Sequence, residues 1–230
     1  RAYGVPNVDI VGLGVELGDF GPSRRDPQLR RKLGIEDDRP LLIYVGRLDG
    51  EKKPEVVVEA FRRLPAELGA KLALIGEGPL REQFAAMGDP RILTPGYLKD
   101  RSELAKWLAS ADIYVSGMAD ETFGVSIVEA QASGLPVVGV AAGAMIDRVT
   151  ERIGRLGPVN DSEAMARNIL AMWSSDRAAI AEEACKEARL YSWDHSMDAL
   201  FGRVYPDAFA RSALRGGVPA ASLAGSLAKA

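Results

Sequence analysis

The hydrophobic positions of this chain fall into short unbroken runs. Each run is followed by a loop and then by a segment whose apolar residues recur at helical spacing. Leu41-Leu42-Ile43-Tyr44-Val45 ends at Gly46, and Lys71-Leu72-Ala73-Leu74-Ile75 ends at Gly76. Asp112-Ile113-Tyr114-Val115 ends in Ser116-Gly117, and Pro136-Val137-Val138-Gly139-Val140 leads into Ala141-Ala142-Gly143. Runs of this length without polar alternation suit strands covered on both faces. Between them, Pro54 to Leu64 predicts a helix, with Val57, Val58, Phe61 and Leu64 on one face and Pro54 in its first turn. Ser102 to Ala109 predicts another, with Ser102 as N-cap and Leu104 and Leu108 four apart. A third runs from Val125 to Ser133 and stops at Gly134, with Pro136 just beyond. Such alternation predicts an α/β fold: a Rossmann-like, doubly wound parallel sheet with helices on both faces. Ligands on such sheets bind at the carboxyl ends of the strands. The loops after Val45, Ile75, Val115 and Val140 are therefore where chemistry is expected.

The two ends depart from this pattern. Tyr3 to Gly14 reads as a lead-in strand with turns, and Arg24 to Leu33 as a charged helix. Strand-like runs stop by about Leu156, and helices are predicted over Asp161–Trp173, Asp176–Leu190 and Asp194–Ala210. From Arg215 the chain is rich in Gly, Ala and Ser with no periodic apolar face. The expected organisation is a Rossmann-like domain over 1–160, helices over 161–211 packed on it, and a flexible tail over 212–230. The first residue is Arg1 rather than methionine, so a processed or excised piece of a longer chain is expected.

Composition narrows the function classes. With 29 basic and 32 acidic residues, net charge -3, there is no basic excess to favour nucleic acid or an anionic membrane surface. A local cluster can still hold a phosphate. The single cysteine, Cys185, forms no internal disulfide, and no Cys/His cluster offers a zinc site. No apolar run approaches the roughly 20 residues of a membrane span, and no signal peptide is seen. A cytoplasmic location is expected. The only histidine, His195, reads as a helix-start residue.

Three loops carry candidate chemistry. In Val45-Gly46-Arg47-Leu48-Asp49-Gly50-Glu51-Lys52-Lys53-Pro54, Gly46 lets a ligand approach the backbone. Arg47 and Lys52 can converge on one anion, a guanidinium fork beside a mobile point charge. The competing reading is a solvated loop with local ion pairs from Arg47 to Asp49 or Glu51. Gly76-Glu77-Gly78-Pro79 suggests a tight turn opening a helix, a pattern common to many strand-to-helix turns. The third segment, Glu121-Thr122-Phe123-Gly124-Val125-Ser126-Ile127-Val128-Glu129, places two glutamates eight positions apart across a helix start. Backbone N–H groups at Gly124, Val125 and Ser126 are positioned to face an anion. Glu129 lies among apolar neighbours, so its carboxylate requires a partner; ribose hydroxyls are suitable donors.

With these motifs in this order, the chain resembles the C-terminal, donor-binding domain of family 4 glycosyltransferases, the "group 1" enzymes of the GT-B fold. The resemblance rests on Val-Gly-Arg-Leu with Arg47 and Lys52, Gly-x-Gly-Pro at Gly76 to Pro79, the E-x7-E pair Glu121 and Glu129, and Gly-x-Pro-Val-Val at Gly134 to Val138. It extends from about Val5 to Tyr205. It implies that Arg47 and Lys52 bind the donor diphosphate and stabilise the leaving phosphate, that Glu121 contacts the donor sugar, and that Glu129 binds the ribose. It further implies that amides around Gly124, Val125 and Ser126 hold phosphate or sugar hydroxyls. Gly46 and Gly76 line the site, and Gly96, Tyr97 and Leu98 match the edge whose backbone reads the base. The implied donor is a UDP- or GDP-linked sugar, with no cofactor and no metal, in keeping with the lack of an Asp-x-Asp motif.

Three positions depart from the family pattern. Lys53 stands where glycine is common, Ala142 replaces one glycine of a later loop, and Asp147 stands near a usual glutamate. The implied reaction is retaining glycosyl transfer. An N-terminal acceptor-binding domain is the expected missing partner, and this piece is expected to be inactive alone. Any membrane association is expected to be peripheral and of the full-length enzyme only. A non-catalytic nucleotide-sugar-binding module and a GT-B nucleotide-sugar epimerase are the alternatives. A doubly wound regulatory domain without nucleotide is disfavoured by Arg47, Lys52 and the glutamate pair.

Overall fold

The computed structural model describes residues 11–214. These divide into two compact units: residues 17–189, and residues 11–16 together with 190–214. Most of the expected lead-in strand, residues 3–10, and the tail from Arg215 lie outside the described residues.

The larger unit is built on six parallel strands: β1 (Leu41–Val45), β2 (Lys71–Ile75), β3 (Ile92–Gly96), β4 (Ile113–Val115), β5 (Val137–Val140) and β6 (Gly154–Gly157). Their order is β3-β2-β1-β4-β5-β6, the doubly wound arrangement. The chain reverses its direction of winding between β1 and β4, which pair through Leu42↔Ile113 and Ile43↔Tyr114. The crevice at a doubly wound sheet's ligand end opens at such a reversal, outside the strands' carboxyl ends. The four runs read from sequence are the four inner strands. Edge strands β3 and β6 hold Pro95 and two glycines respectively, which an edge tolerates because one side of its ladder is unpaired.

Helices α1 (Pro27–Lys32), α2 (Pro54–Arg62), α3 (Arg81–Ala86), α4 (Arg101–Ser110), α5 (Val125–Ala132), α6 (Met145–Arg148), α7 (Ser162–Trp173) and α8 (Arg177–Arg189) connect and cover the strands. Helix α2 packs with α7, while α5 packs with α4 and α8. Leu41, Leu42, Ile43, Val57 and Phe61 have no exposed surface, as two-sided coverage requires. Three sequence expectations are corrected. The cap of α4 is Asp100, whose carboxylate accepts from the Ser102 N–H at 2.8 Å; Ser102 lies inside the first turn. Arg24 to Leu33 is not one helix but a 3-10 turn (Pro22–Arg24) and α1, because the residue before Pro27 is held extended and becomes the cap. The helical stretch expected over Asp194–Ala210 begins one residue earlier, at Trp193 with Ser192 as cap, and continues to Leu214.

At the amino ends of the strands, Asp112 ties the sheet to α1. Its carboxylate accepts from Arg30 Nη1 and from the Leu41 N–H, each at 2.8 Å, and from Arg25 Nη2 at 3.3 Å. Arg177 Nη1 stands 3.7 Å away. The Arg30 guanidinium, 1% exposed, also donates to the carbonyls of Ser110, Glu36 and Arg39 at 2.8–2.9 Å.

In the smaller unit, α9 (Trp193–Ala199), a π-helical turn (Leu200–Val204) and α10 (Tyr205–Leu214) follow one another. Among the described residues no helix is long and apolar enough to cross a membrane.

Candidate functional site

Four loops meet at the carboxyl ends of β1 to β4. The β1 loop is held from below: the Gly46 N–H donates to Ile75 O at 3.0 Å, and the buried Tyr44 hydroxyl donates to Arg47 O at 2.7 Å. Asp49 Oδ1 accepts from the N–H groups of Lys52 and Glu51 at 3.0 and 3.2 Å, closing the turn. Lys53 then takes a left-handed conformation, φ 53°, to start α2. The β2 loop lies backbone to backbone against it. Leu48 N–H donates to Glu77 O at 2.9 Å, and Leu80 N–H to Leu48 O at 3.0 Å. Gly76 has φ 145°, and a Cβ there would lie 1.9 Å from Gly46 O. Only glycine allows this contact.

Val45, Gly46, Arg47, Gly76, Tyr97 and Leu98 line a cavity of about 260 Å³ between these loops and the end of β3. Glu77 also lines it, and its Oε1 accepts from the Tyr97 N–H at 3.3 Å. Gly96 sits at the turn with φ 87° and accepts from the Gly76 N–H at 3.0 Å.

Across the crevice, Gly124 caps α5 with φ 81°, a conformation that costs glycine little. Glu121 bridges the two sides. Its Oε1 accepts from the Gly124 N–H at 3.0 Å, and its Oε2 lies 3.2 Å from Lys52 Nζ. The first α5 hydrogen bonds run from Ile127 and Val128 to Gly124 O, so the N–H groups of Val125 and Ser126 precede the ladder. Arg47 is not shared with Lys52. Its guanidinium lies 2.8 Å from Asp49 and 2.7 Å from Glu51, and the Glu51 hydrogen bond raises its pKa. The local ion pairs weighed from the sequence are therefore present in this structure. Glu129 is 4% exposed and pairs with Arg101 Nη2 at 3.1 Å. Burial raises its pKa, opposed by the Arg101 charge. The structure thus joins Lys52, Glu121 and Gly124 in one cluster and Arg47, Gly46, Gly76, Tyr97 and Leu98 around one cavity. Glu129 is engaged with α4 instead.

Two participants were not singled out from sequence. Tyr114, hidden in an apolar run, places its hydroxyl 2.8 Å from Ser126 Oγ. Arg101 occupies the first position of α4, where a cation opposes the helix dipole; that misplacement was the available signal. His195 N–H donates to the Ser192 hydroxyl at 3.2 Å at a helix start, and Cys185 contacts Ala132 O at 3.4 Å, with burial raising the thiol pKa.

Residues 25–189 match the profile of the family described as "Glycosyl transferases group 1". The chain belongs to the group 1 glycosyl transferases. Among relatives of this group 1 chain, the sulfoquinovosyl transferase SQD2 of Arabidopsis thaliana is 34% identical over 190 residues, 78% of this chain and 36% of the relative. The GDP-mannose-dependent alpha-(1-6)-phosphatidylinositol dimannoside mannosyltransferase of Mycobacterium tuberculosis is 32% identical over 196 residues, 84% of this chain and 51% of the relative. HepE from Anabaena, solved with UDP and glucose, superposes with a TM-score of 0.72 at 20% identity, over 86% of this chain and 56% of that one. The six-stranded parallel sheet is thus Rossmann-like and matches the fold of GT-B glycosyl transferase structures. This group 1 chain spans about a third to a half of the length of the two curated relatives.

Proposed function

We propose that this chain is the donor-binding half of a retaining, metal-independent glycosyltransferase, moving a sugar from a UDP- or GDP-linked donor to an acceptor held by another domain. The observation that carries the reading is the meeting of Lys52, Glu121 and the first turn of α5 at the β1/β4 reversal, beside the cavity that Arg47 and Tyr97 line. In this reading the base lies in that cavity against the backbone of Gly96 to Leu98. The diphosphate lies between the β1 loop and α5, with the N–H groups of Val125 and Ser126 facing it and that of Gly124 joining them once Glu121 Oε1 gives it up. Lys52 then exchanges Glu121 for phosphate, Arg47 exchanges Glu51, and both stabilise charge developing on the leaving diphosphate. Glu121, released from Lys52, faces the sugar, and Glu129 accepts from the ribose. The named mannosyltransferase uses a GDP-linked donor and HepE holds UDP, so both bases enter the test.

Orienting two substrates in one cleft can lower a barrier by about 7–11 kcal/mol, and one domain supplies one wall. We therefore expect nucleotide binding but no useful transfer from this chain alone. Thermal-shift titration with UDP, GDP, ADP and their sugars tests the binding, with stabilisation by UDP or GDP expected. No shift with any of them overturns the reading. Transfer at the rate of the longer enzyme would overturn the division between halves.

A further inference from the structure

Beneath the loops, two tyrosines stand on the inner strands: Tyr44 on β1 and Tyr114 on β4, each 2% exposed. A buried phenol costs free energy unless its hydroxyl is hydrogen-bonded. Tyr44 is satisfied by Arg47 O. Tyr114 has two neighbours, Ser126 Oγ at 2.8 Å and Val45 O at 3.4 Å. Val45 is the last residue of β1, and Ser126 is the second residue of α5. One hydroxyl therefore spans the strand reversal and touches both walls of the crevice.

We propose that Tyr114 is a positioning residue for the donor diphosphate, fixing the first turn of α5 and setting the direction of the Ser126 hydroxyl. The proposal rests on the donor-binding reading above. A phenol has one proton and accepts through its lone pairs, and a serine hydroxyl can do either. Two hydrogen-bond directions follow. In one, Ser126 donates to Tyr114, which donates to Val45 O. In the other, Tyr114 donates to Ser126 Oγ, and the Ser126 proton turns outward to an anion at the helix start. A phosphate oxygen is a charge-assisted acceptor and favours the outward direction. The contact given up, at 3.4 Å, is already long for an O–H···O bond. Burial raises the phenol pKa against the lowering effect of the Ser126 hydrogen bond, so the Tyr114 proton is retained at neutral pH.

The test is calorimetry on the full chain with UDP and GDP, and with uridine and guanosine, for wild type, Tyr114→Phe, Ser126→Ala and the double variant. Tyr114→Phe is expected to weaken the diphosphate about three- to tenfold, the range of one neutral hydrogen bond, with nucleoside affinity kept within about twofold. Ser126→Ala is expected to weaken the diphosphate at least as much, because it removes the charge-assisted donor itself, and the double variant to lose no more than Ser126→Ala alone, because Tyr114 acts through Ser126. Unchanged diphosphate affinity in Tyr114→Phe overturns the proposal. So do equal losses for nucleoside and diphosphate, which mark general loosening, and so do additive losses. Should Tyr114→Phe fail to fold, Ser126→Ala decides on the same comparison, and wild-type affinity there overturns it. Failure of the wild-type chain to bind either diphosphate overturns the donor reading, and this proposal with it.

Discussion

Replacing Asp112 by Asn tests the contact that anchors α1 to the amino ends of β1 and β4. Asn keeps the shape of the side chain and one acceptor oxygen but removes the charge. Arg30 stays behind with 1% of its side chain exposed. Breaking a buried ion pair from one side costs about 3–5 kcal/mol, because the remaining charge is left uncompensated. Here Arg30 keeps three carbonyl acceptors and Asp37 at 4.0 Å, so the lower end, about 3 kcal/mol, is expected. At a urea slope of about 2 kcal/mol/M that lowers the unfolding midpoint by about 1.5 M. The assay is urea denaturation followed by circular dichroism for wild type, Asp112→Asn, Arg30→Met and the double variant. Arg30→Met removes the stranded charge, so the double variant is expected to recover part of the Asp112→Asn loss. A loss below about 1 kcal/mol in Asp112→Asn would place this contact with surface pairs and refute the reasoning. A double variant as unstable as the sum of the singles would also refute it.

Gly76→Ala puts a methyl 1.9 Å from Gly46 O, so a loss of about 1–3 kcal/mol in stability, with weaker nucleotide binding, is expected by melting and calorimetry. Gly50→Ala, with nothing within 4 Å, is the unaffected control. Lys53→Gly relieves a left-handed non-glycine residue at the start of α2 and is expected to stabilise by about 0.5–1 kcal/mol, read from the urea midpoint. Burial raises the folded pKa of Glu129 above its ordinary 4.5, so between the unfolded and folded pKa values the folded state holds a proton that the unfolded state has released. Its contribution is full below the unfolded pKa and is lost as pH rises through the folded one. Urea midpoints from pH 4 upward are expected to fall more steeply in wild type than in Glu129→Gln, and parallel profiles would remove Glu129 as the cause.

The inner strands were legible because burial on both faces leaves continuous apolar runs, as in Leu41–Val45. Edge strand β3 was not, because Thr94 and Pro95 satisfy an edge without producing such a run. The site loops were legible through their glycines and charges, since Gly46, Gly76 and Gly124 mark close backbone approach. Partner choice was not legible. Asp49 and Glu51 are Arg47's neighbours in sequence, whereas Lys52 pairs with Glu121 from 69 positions away. That pairing depends on how β1 and β4 lie together. Arg101 similarly meets Glu129 only because α4 packs on α5. The hydroxyl of Tyr114 was masked by the apolar company that buries it.

The loops of the crevice touch one another through main-chain atoms. A Cβ at Gly78 would meet Leu48 O at 2.4 Å, one at Gly117 would meet Lys53 O at 2.6 Å, and one at Gly143 would meet Ala119 O and Glu121 O at 2.6 Å. Frame and decoration are thereby separated. The glycines carry the shape, while Glu51, Glu77 and Tyr97 project from it with their own surfaces largely in solvent. On the donor-binding reading, a randomised library directed at those three projecting positions, with Gly76, Gly78, Gly117 and Gly143 held fixed, varies the surface offered to a donor without rebuilding the scaffold. A library that spreads the same number of changes across the glycines would spend most of its members on chains whose loops no longer close.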